Sequence, residues 1–179
     1  MVDARFRCGS MGTVTKRETC VVVARLEYVG ESIFRSPRRF PAVKGTLKVR
    51  DHGGNELGSF RVNTGGGSPD YRTRNGPVPP GVYKVSHFRN RTTPGMVFDG
   101  VGYSFDMDPA RGTRVFGRSL FRIHPDGGSE QTNGCLGVRE RAARSRQCRD
   151  QIRSLFENGP VEMSVAYSDD IDRRIDGRP

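Results

Sequence analysis

Turn-forming residues cut the first half of this chain into pieces of strand length. Thr46-Leu-Lys-Val-Arg50 alternates apolar and polar residues, as a half-buried strand does. Asp51-His-Gly-Gly-Asn55 follows as a turn, because glycine and asparagine tolerate positive φ. Leu57 to Val62 then returns as a second strand, so the two form a hairpin. Asn75-Gly-Pro-Val-Pro-Pro-Gly81 is a rigid turn feeding the strand Val82 to Ser86. Further strands are expected over 20–29, 101–107, 119–123 and 161–167. One helix is expected, from about Glu140 to Glu157. Its apolar residues Cys148, Ile152, Leu155 and Phe156 follow helical spacing, and Asn158-Gly-Pro160 stops it. The class that follows is mainly β with one major C-terminal helix.

At 179 residues the chain is long enough for one compact core and cramped for two. The expected division is a leader over 1–20, a single domain over 21–168 and a charged, mobile tail over 169–179. The leader lacks the apolar segment of a secretory signal. Its Gly9-Ser10-Met11 looks like a cloning junction ahead of a second start methionine. No run approaches the roughly 20 apolar residues that a membrane-spanning helix requires, so no span is expected.

The net charge of +10 is carried mostly by arginine. Such a surface favours polyanions such as nucleic acid, anionic lipid headgroups or an acidic cell wall. The arginines are scattered and form no long block, which fits a solvated basic surface equally well. The passage Asn63 to Pro69 is glycine-rich, but no Gly-Lys-Ser/Thr and no helix pattern follow it. It reads as a flexible or substrate-lining loop.

The four cysteines are Cys8, Cys20, Cys135 and Cys148, with no Cys-x-x-Cys pair. Cys8 and Cys20 lie in the leader, where they are free to pair with each other. Cys148 falls in the expected helix as a small buried hydrophobe. Cys135 sits elsewhere in character. A strand ends at His124, a loop of small and polar residues follows, and Asn133-Gly134-Cys135 leads back into apolar sequence at Leu136 and Val138. A cysteine nucleophile works as the thiolate, and a neighbouring imidazole can take its proton. Gly134 removes a Cβ from the approach to a substrate carbonyl, and amides around Cys135 can face a tetrahedral oxyanion.

These residues resemble a family. Arg122-Ile-His-Pro-Asp-Gly-Gly followed by Asn-Gly-Cys-Leu-Gly-Val is similar to the active-site motif of the L,D-transpeptidase catalytic domain, in which a histidine after a strand precedes Ser/Thr-x-Gly-Cys. Gly76-Pro-Val-Pro-Pro-Gly-Val-Tyr83 resembles a proline turn that precedes the motif in those enzymes. The likeness covers roughly residues 44 to 167. Asn133 stands where most members carry a second histidine, the arginine after the cysteine is Arg139, and the histidine-to-cysteine interval is short. These features resemble the compact branch that includes type VI secretion effectors, toxins that attack the cell walls of rival bacteria.

The resemblance implies an L,D-transpeptidase-like β-sandwich or barrel acting on peptidoglycan stem peptides. Cys135 would attack the carbonyl of the third-position diamino acid and expel the terminal D-alanine. The thioester would pass to water, to a free D-amino acid or to another stem amine. His124 would be the base, and the backbone at Asn133, Gly134 and Cys135 the oxyanion site. Arg122, Asp126, Ser129 and Arg139 are the expected substrate contacts, and no metal or organic cofactor is needed. A secretion apparatus and an immunity protein are the implied partners, with the periplasm or cell wall as the place of action.

Three other readings compete. A papain-like cell-wall endopeptidase or amidase would place its cysteine long before its histidine, the reverse of the order here. A nucleic-acid-binding domain would interleave stacking aromatics with the arginines, but there is no tryptophan and the aromatics alternate as core residues. A zinc site using His124, Asp126 and Cys135 lacks a fourth ligand.

Overall fold

The computed structural model describes residues 22–35, 41–128 and 132–175. Cys8, Cys20, the leader, Ser129 and the last residues of the tail lie outside them. The elements in chain order are β1 (Ala24–Arg35), β2 (Pro41–Arg50), β3 (Glu56–Thr64), β4 (Gly81–Asn90), β5 (Val97–Phe98), β6 (Val101–Pro109), β7 (Phe121–Pro125), β8 (Leu136–Val138), α1 (Ala142–Phe156), β9 (Val161–Tyr167) and α2 (Asp169–Ile175).

The sheet runs β4-β9-β1-β2-β3-β8-β7-β6, and a further pairing of β4 with β6 closes these strands into an eight-stranded barrel, with β5 folded back on β6. Most neighbours are antiparallel. The exceptions are β1 with β9 and β7 with β8, which are parallel. Closure leaves none of the eight strands with an open edge along its paired length. Alternation supplies the interior. Leu26 and Tyr28 on β1 stand opposite Val49 and Leu47 on β2 and Met163 and Val165 on β9, and all are buried in one apolar cluster with Phe60, Val62, Phe105, Ile123 and Leu136. Cys148, Ile152 and Leu155 of α1 join the same cluster. Among the described residues no helix is long and apolar enough to cross a membrane.

The hairpin turn forms as its chemistry dictates: the Asp51 carboxylate accepts the backbone N–H of Asn55 at 2.9 Å. Three expectations change. The strand at 119–123 starts at Phe121, because Leu120 takes a left-handed φ of 62° that ends extended pairing. The three-residue β8, placed between β3 and β7, was not separable by pattern. The tail does not leave the body at residue 169. Asp169–Ile175 is a helix with Ile171 and Ile175 buried, and Arg72 donates to the Ile175 carbonyl at 3.0 Å. Two isoleucines four residues apart on one helical face give the segment something to bury.

Candidate active site

The parallel register of β7 and β8 sets the geometry. Ile123 stands opposite Leu136 and His124 opposite Gly137, with Ile123, Leu136 and Val138 in the core. Strand alternation therefore turns Arg122 and His124 to the other face. Cys135, one residue before β8, precedes the core-facing Leu136. Thr132 fixes the approach to it. Its hydroxyl donates to the Cys135 carbonyl and accepts the Gly65 N–H, while its own N–H donates to the Gly65 carbonyl. The turn 132–135 is thereby tied both to itself and to the end of β3. Thr132 stands at the Ser/Thr position of the Ser/Thr-x-Gly-Cys pattern that the sequence resembles, the one signal by which sequence reasoning could have found it as a positioning residue.

His124 is buried. Its Nδ1 lies 2.6 Å from the Pro125 carbonyl oxygen. A carbonyl has no proton to give, so Nδ1 is the donor and Nε2 carries the lone pair. Burial pushes the imidazole pKa down, against the pull of the Pro125 bond, and the charges of Arg122 and Arg91 push the same way. The ring is neutral at neutral pH and able to act as a base.

Cys135 is partly exposed, and its Sγ lies 3.8 Å from the Leu120 carbonyl oxygen. Burial of the thiol raises its pKa; the Arg122 backbone N–H and the charges of Arg122 and Arg118 pull it back. The resting pair is a thiol and a neutral imidazole. Among the described residues Cys135 and His124 form no hydrogen bond with each other.

Gly137 lets its neighbours close over the strand. A Cβ there would stand 2.4 Å from Asn63 Oδ1 and 2.9 Å from both Asp126 Cβ and Thr132 Cγ2. Asn63 is fully buried on β3 opposite Gly137, and among the described residues neither polar atom of its amide has a partner.

The remaining expected residues divide between frame and rim. Asp126 is buried, accepts the Gly128 N–H at 2.8 Å and pairs with Arg139 at 3.3 Å. Both Asp126 and Arg139 line a cavity of about 600 Å³ with Lys44, Arg61 and Arg141. Arg122 pairs with Asp106 at 3.3 Å, and Asp106 also takes Arg89 at 2.6 Å. Gly134 has φ 91°, a conformation that favours glycine. Asn133 is exposed and lines a second cavity, of about 770 Å³, with Arg74, Asn75, Phe116, Arg118 and Leu120. A third, of about 320 Å³, lies against Leu120 and Arg122. Leu120 is 74% exposed and stands between the second and third, with the thiol at its carbonyl.

Cys148 behaves as a core residue: burial pushes its thiol pKa up to about 12. No three of His, Cys, Asp and Glu gather in a metal-holding group among the described residues. No protein-family model, curated protein or solved structure matches the chain.

Proposed function

We propose that this protein is a cysteine acyl-transfer enzyme of the L,D-transpeptidase kind, acting on peptidoglycan stem peptides. The observation that carries the reading is the β7–β8 register. It sets a partly exposed thiol at the start of β8, beside the strand that holds a buried neutral imidazole whose Nδ1 donates to the Pro125 carbonyl and whose lone pair is therefore on Nε2. The closed β-barrel accords with the barrel that the family resemblance implies.

In this reading the thiol leaves the Leu120 carbonyl and gives its proton to Nε2 of His124 as sulfur bonds to the peptide carbonyl carbon. The new oxyanion is met by backbone amides at Gly134 and Cys135. Collapse breaks the C–N bond, and the proton on His124 passes to the departing amine of D-alanine. Water or an amine then attacks the thioester, His124 takes its proton, and the thiol is restored. Water gives an L,D-carboxypeptidase, a D-amino acid gives exchange, and a second stem gives a crosslink. Asn133 borders the cavity of about 770 Å³ from which the peptide enters. An enzyme of this kind acts in the periplasm or cell wall, and the compact motif accords with a secreted antibacterial effector that an immunity protein neutralises.

Purified tetrapeptide stems incubated with and without an added D-amino acid, read by mass spectrometry, test this. Loss of one D-alanine, or its replacement, is expected. Unchanged tetrapeptide in both arms, with a cooperatively melting protein, rejects the reading.

A further inference from the structure

The turn before β7 presents one side chain. The Arg118 N–H bonds to the Val115 carbonyl at 2.9 Å across Phe116 and Gly117, whose φ values are 52° and 72°. Positive φ is strained for phenylalanine, so something must hold the turn in place. Arg118 does. Its Nη1 donates to the Tyr71 and Pro77 carbonyls, each at 2.7 Å, and its Nη2 to the Gly76 carbonyl at 2.9 Å. The guanidinium lies 5.3 Å from the Phe121 ring centroid. On its other side is Gly134, where a Cβ would come within 1.8 Å of Nη2. Gly134 is therefore glycine for a second reason: the arginine occupies the space of a side chain.

Every one of those acceptors is neutral. Among the described residues no carboxylate pairs with Arg118, and it is half-buried. Three groups able to become anionic face it: the Tyr83 and Tyr167 phenols and the Cys135 thiol. Both phenols are excluded as the compensating charge. Tyr83 donates to the Pro79 carbonyl and Tyr167 to the Val78 carbonyl, and burial holds both protonated. Cys135 remains. Of the other groups near it, Arg122 already has Asp106 as its counter-ion, and His124 on the same strand is neutral.

We propose that Arg118 is the unpaired cation of this site, clamped against Gly134 so that Cys135 in its thiolate form becomes its counter-ion. Arg118 is thus a positioning residue that acts through the thiol. The inference rests on Cys135 being the reacting group.

The test is the rate of iodoacetamide alkylation at Cys135 against pH, read by mass spectrometry of the peptide that contains it, in wild type, Arg118→Gln and Arg118→Lys. Glutamine keeps N–H donors for the carbonyls and removes the charge. Its midpoint should move to higher pH by about half a unit or more, which is about threefold slower alkylation below the midpoint. Lysine should stay near wild type. An unmoved midpoint in Arg118→Gln, or a lysine variant shifted as far as glutamine, overturns the pairing.

The wild type gives a second reading if the glutamine variant fails to melt cooperatively. Beside an uncompensated cation, anionic iodoacetate should gain on neutral iodoacetamide by several-fold in the native protein relative to the urea-unfolded chain. Equal ratios overturn the proposal. Neither measurement uses turnover. A protein that alkylates as expected and leaves stem peptides intact therefore overturns the substrate assignment and not the pairing.

Discussion

The domain holds two described cysteines in opposite surroundings. Around Cys148 the chain is helix against barrel: the thiol is sealed among Ile152, Leu155 and the Tyr103 ring, and burial dominates its chemistry. Around Cys135 the chain is turn against strand end, and burial is opposed by two guanidiniums and a backbone N–H. Desolvation raises both thiols. What separates them is the charge set against that penalty: two guanidiniums and a backbone N–H offset part of it at Cys135, whereas at Cys148 the guanidinium of Arg144 is opposed by the carboxylate of Glu140. Reactivity is thus a property of the rim, where backbone groups and arginines converge, and not of the thiol as such.

The sharpest way to break this contrast is to exchange the thiols' fates. Cys135→Ala should abolish turnover on stem peptides with the melting curve preserved, while Cys148→Ala should leave turnover nearly unchanged. Comparable losses in two well-folded variants would mean that the wrong cysteine had been placed at the reacting centre.

Next in size is His124. His124→Ala should lower turnover roughly 100-fold, the usual scale of a lost general base. The residual rate should climb with pH as the unassisted thiol ionises, with no plateau near neutrality. Because burial depresses the imidazole pKa below its ordinary 6.5, the wild type should keep its base form, and its activity, somewhat below pH 6.5. Stability is lost in the same direction but begins to fall at a higher pH. The unfolded chain takes up a proton at this residue before the folded one does. Folded stability should therefore be full above about pH 6.5 and be lost as pH falls through the folded pKa. Urea melts of wild type and His124→Gln between pH 4 and 8 would show it; parallel profiles for the two would disprove the assignment of a buried neutral ring.

A smaller effect is expected at Thr132. Thr132→Val keeps the shape and removes the hydroxyl that ties Cys135 to Gly65. Stability should fall by about 1–3 kcal/mol, the cost of leaving buried partners unsatisfied, and turnover should drop more than stability alone explains. If turnover is retained at temperatures where the variant is folded, the clasp is merely structural.

The smallest change is expected at Asn133, which is exposed at the cavity edge. Asn133→Ala should cost less than His124→Ala at every pH, since an amide does not titrate. A larger loss there would shift the chemistry from strand β7 to the turn.

The contrast also marks what the residues disclosed. Val161 to Tyr167 was legible to the residue because strict alternation between two turns leaves one solution, and α1 was legible because Cys148, Ile152 and Leu155 share a face. The rim was not. Leu120 resembles a strand residue by type, and only its left-handed backbone, imposed by the turn that presents Arg118, takes it out of the strand. Arg118 is one arginine among many in this chain, several residues before His124, and no spacing rule connects it with Gly134. Its partners are carbonyls of Tyr71, Gly76 and Pro77, which have no sequence signature. His124, Gly134 and Cys135 were visible because their residue types are chemically unusual together. Asp169 to Ile175 was hidden for the converse reason: its charges resemble a solvated tail, and two isoleucines were too few to outweigh them.

Two pairings between strands far apart in the chain have a kinetic consequence. β1 lies beside β9, joining Ala24 to Val161, and β8 sits between β3 and β7, joining Val62 to Val138. Neither contact can form by simple hairpin zippering, so each must pay a long loop closure before it gains anything. The first hairpin can assemble while the rest of the chain is still unstructured. Thr132 ties Cys135 to Gly65 at the end of β3, and Arg118 reaches the carbonyls of Tyr71, Gly76 and Pro77. A molecule that has not yet brought β8 to β3 therefore carries an ordinary thiol, and the surroundings of Cys135 come with that closure.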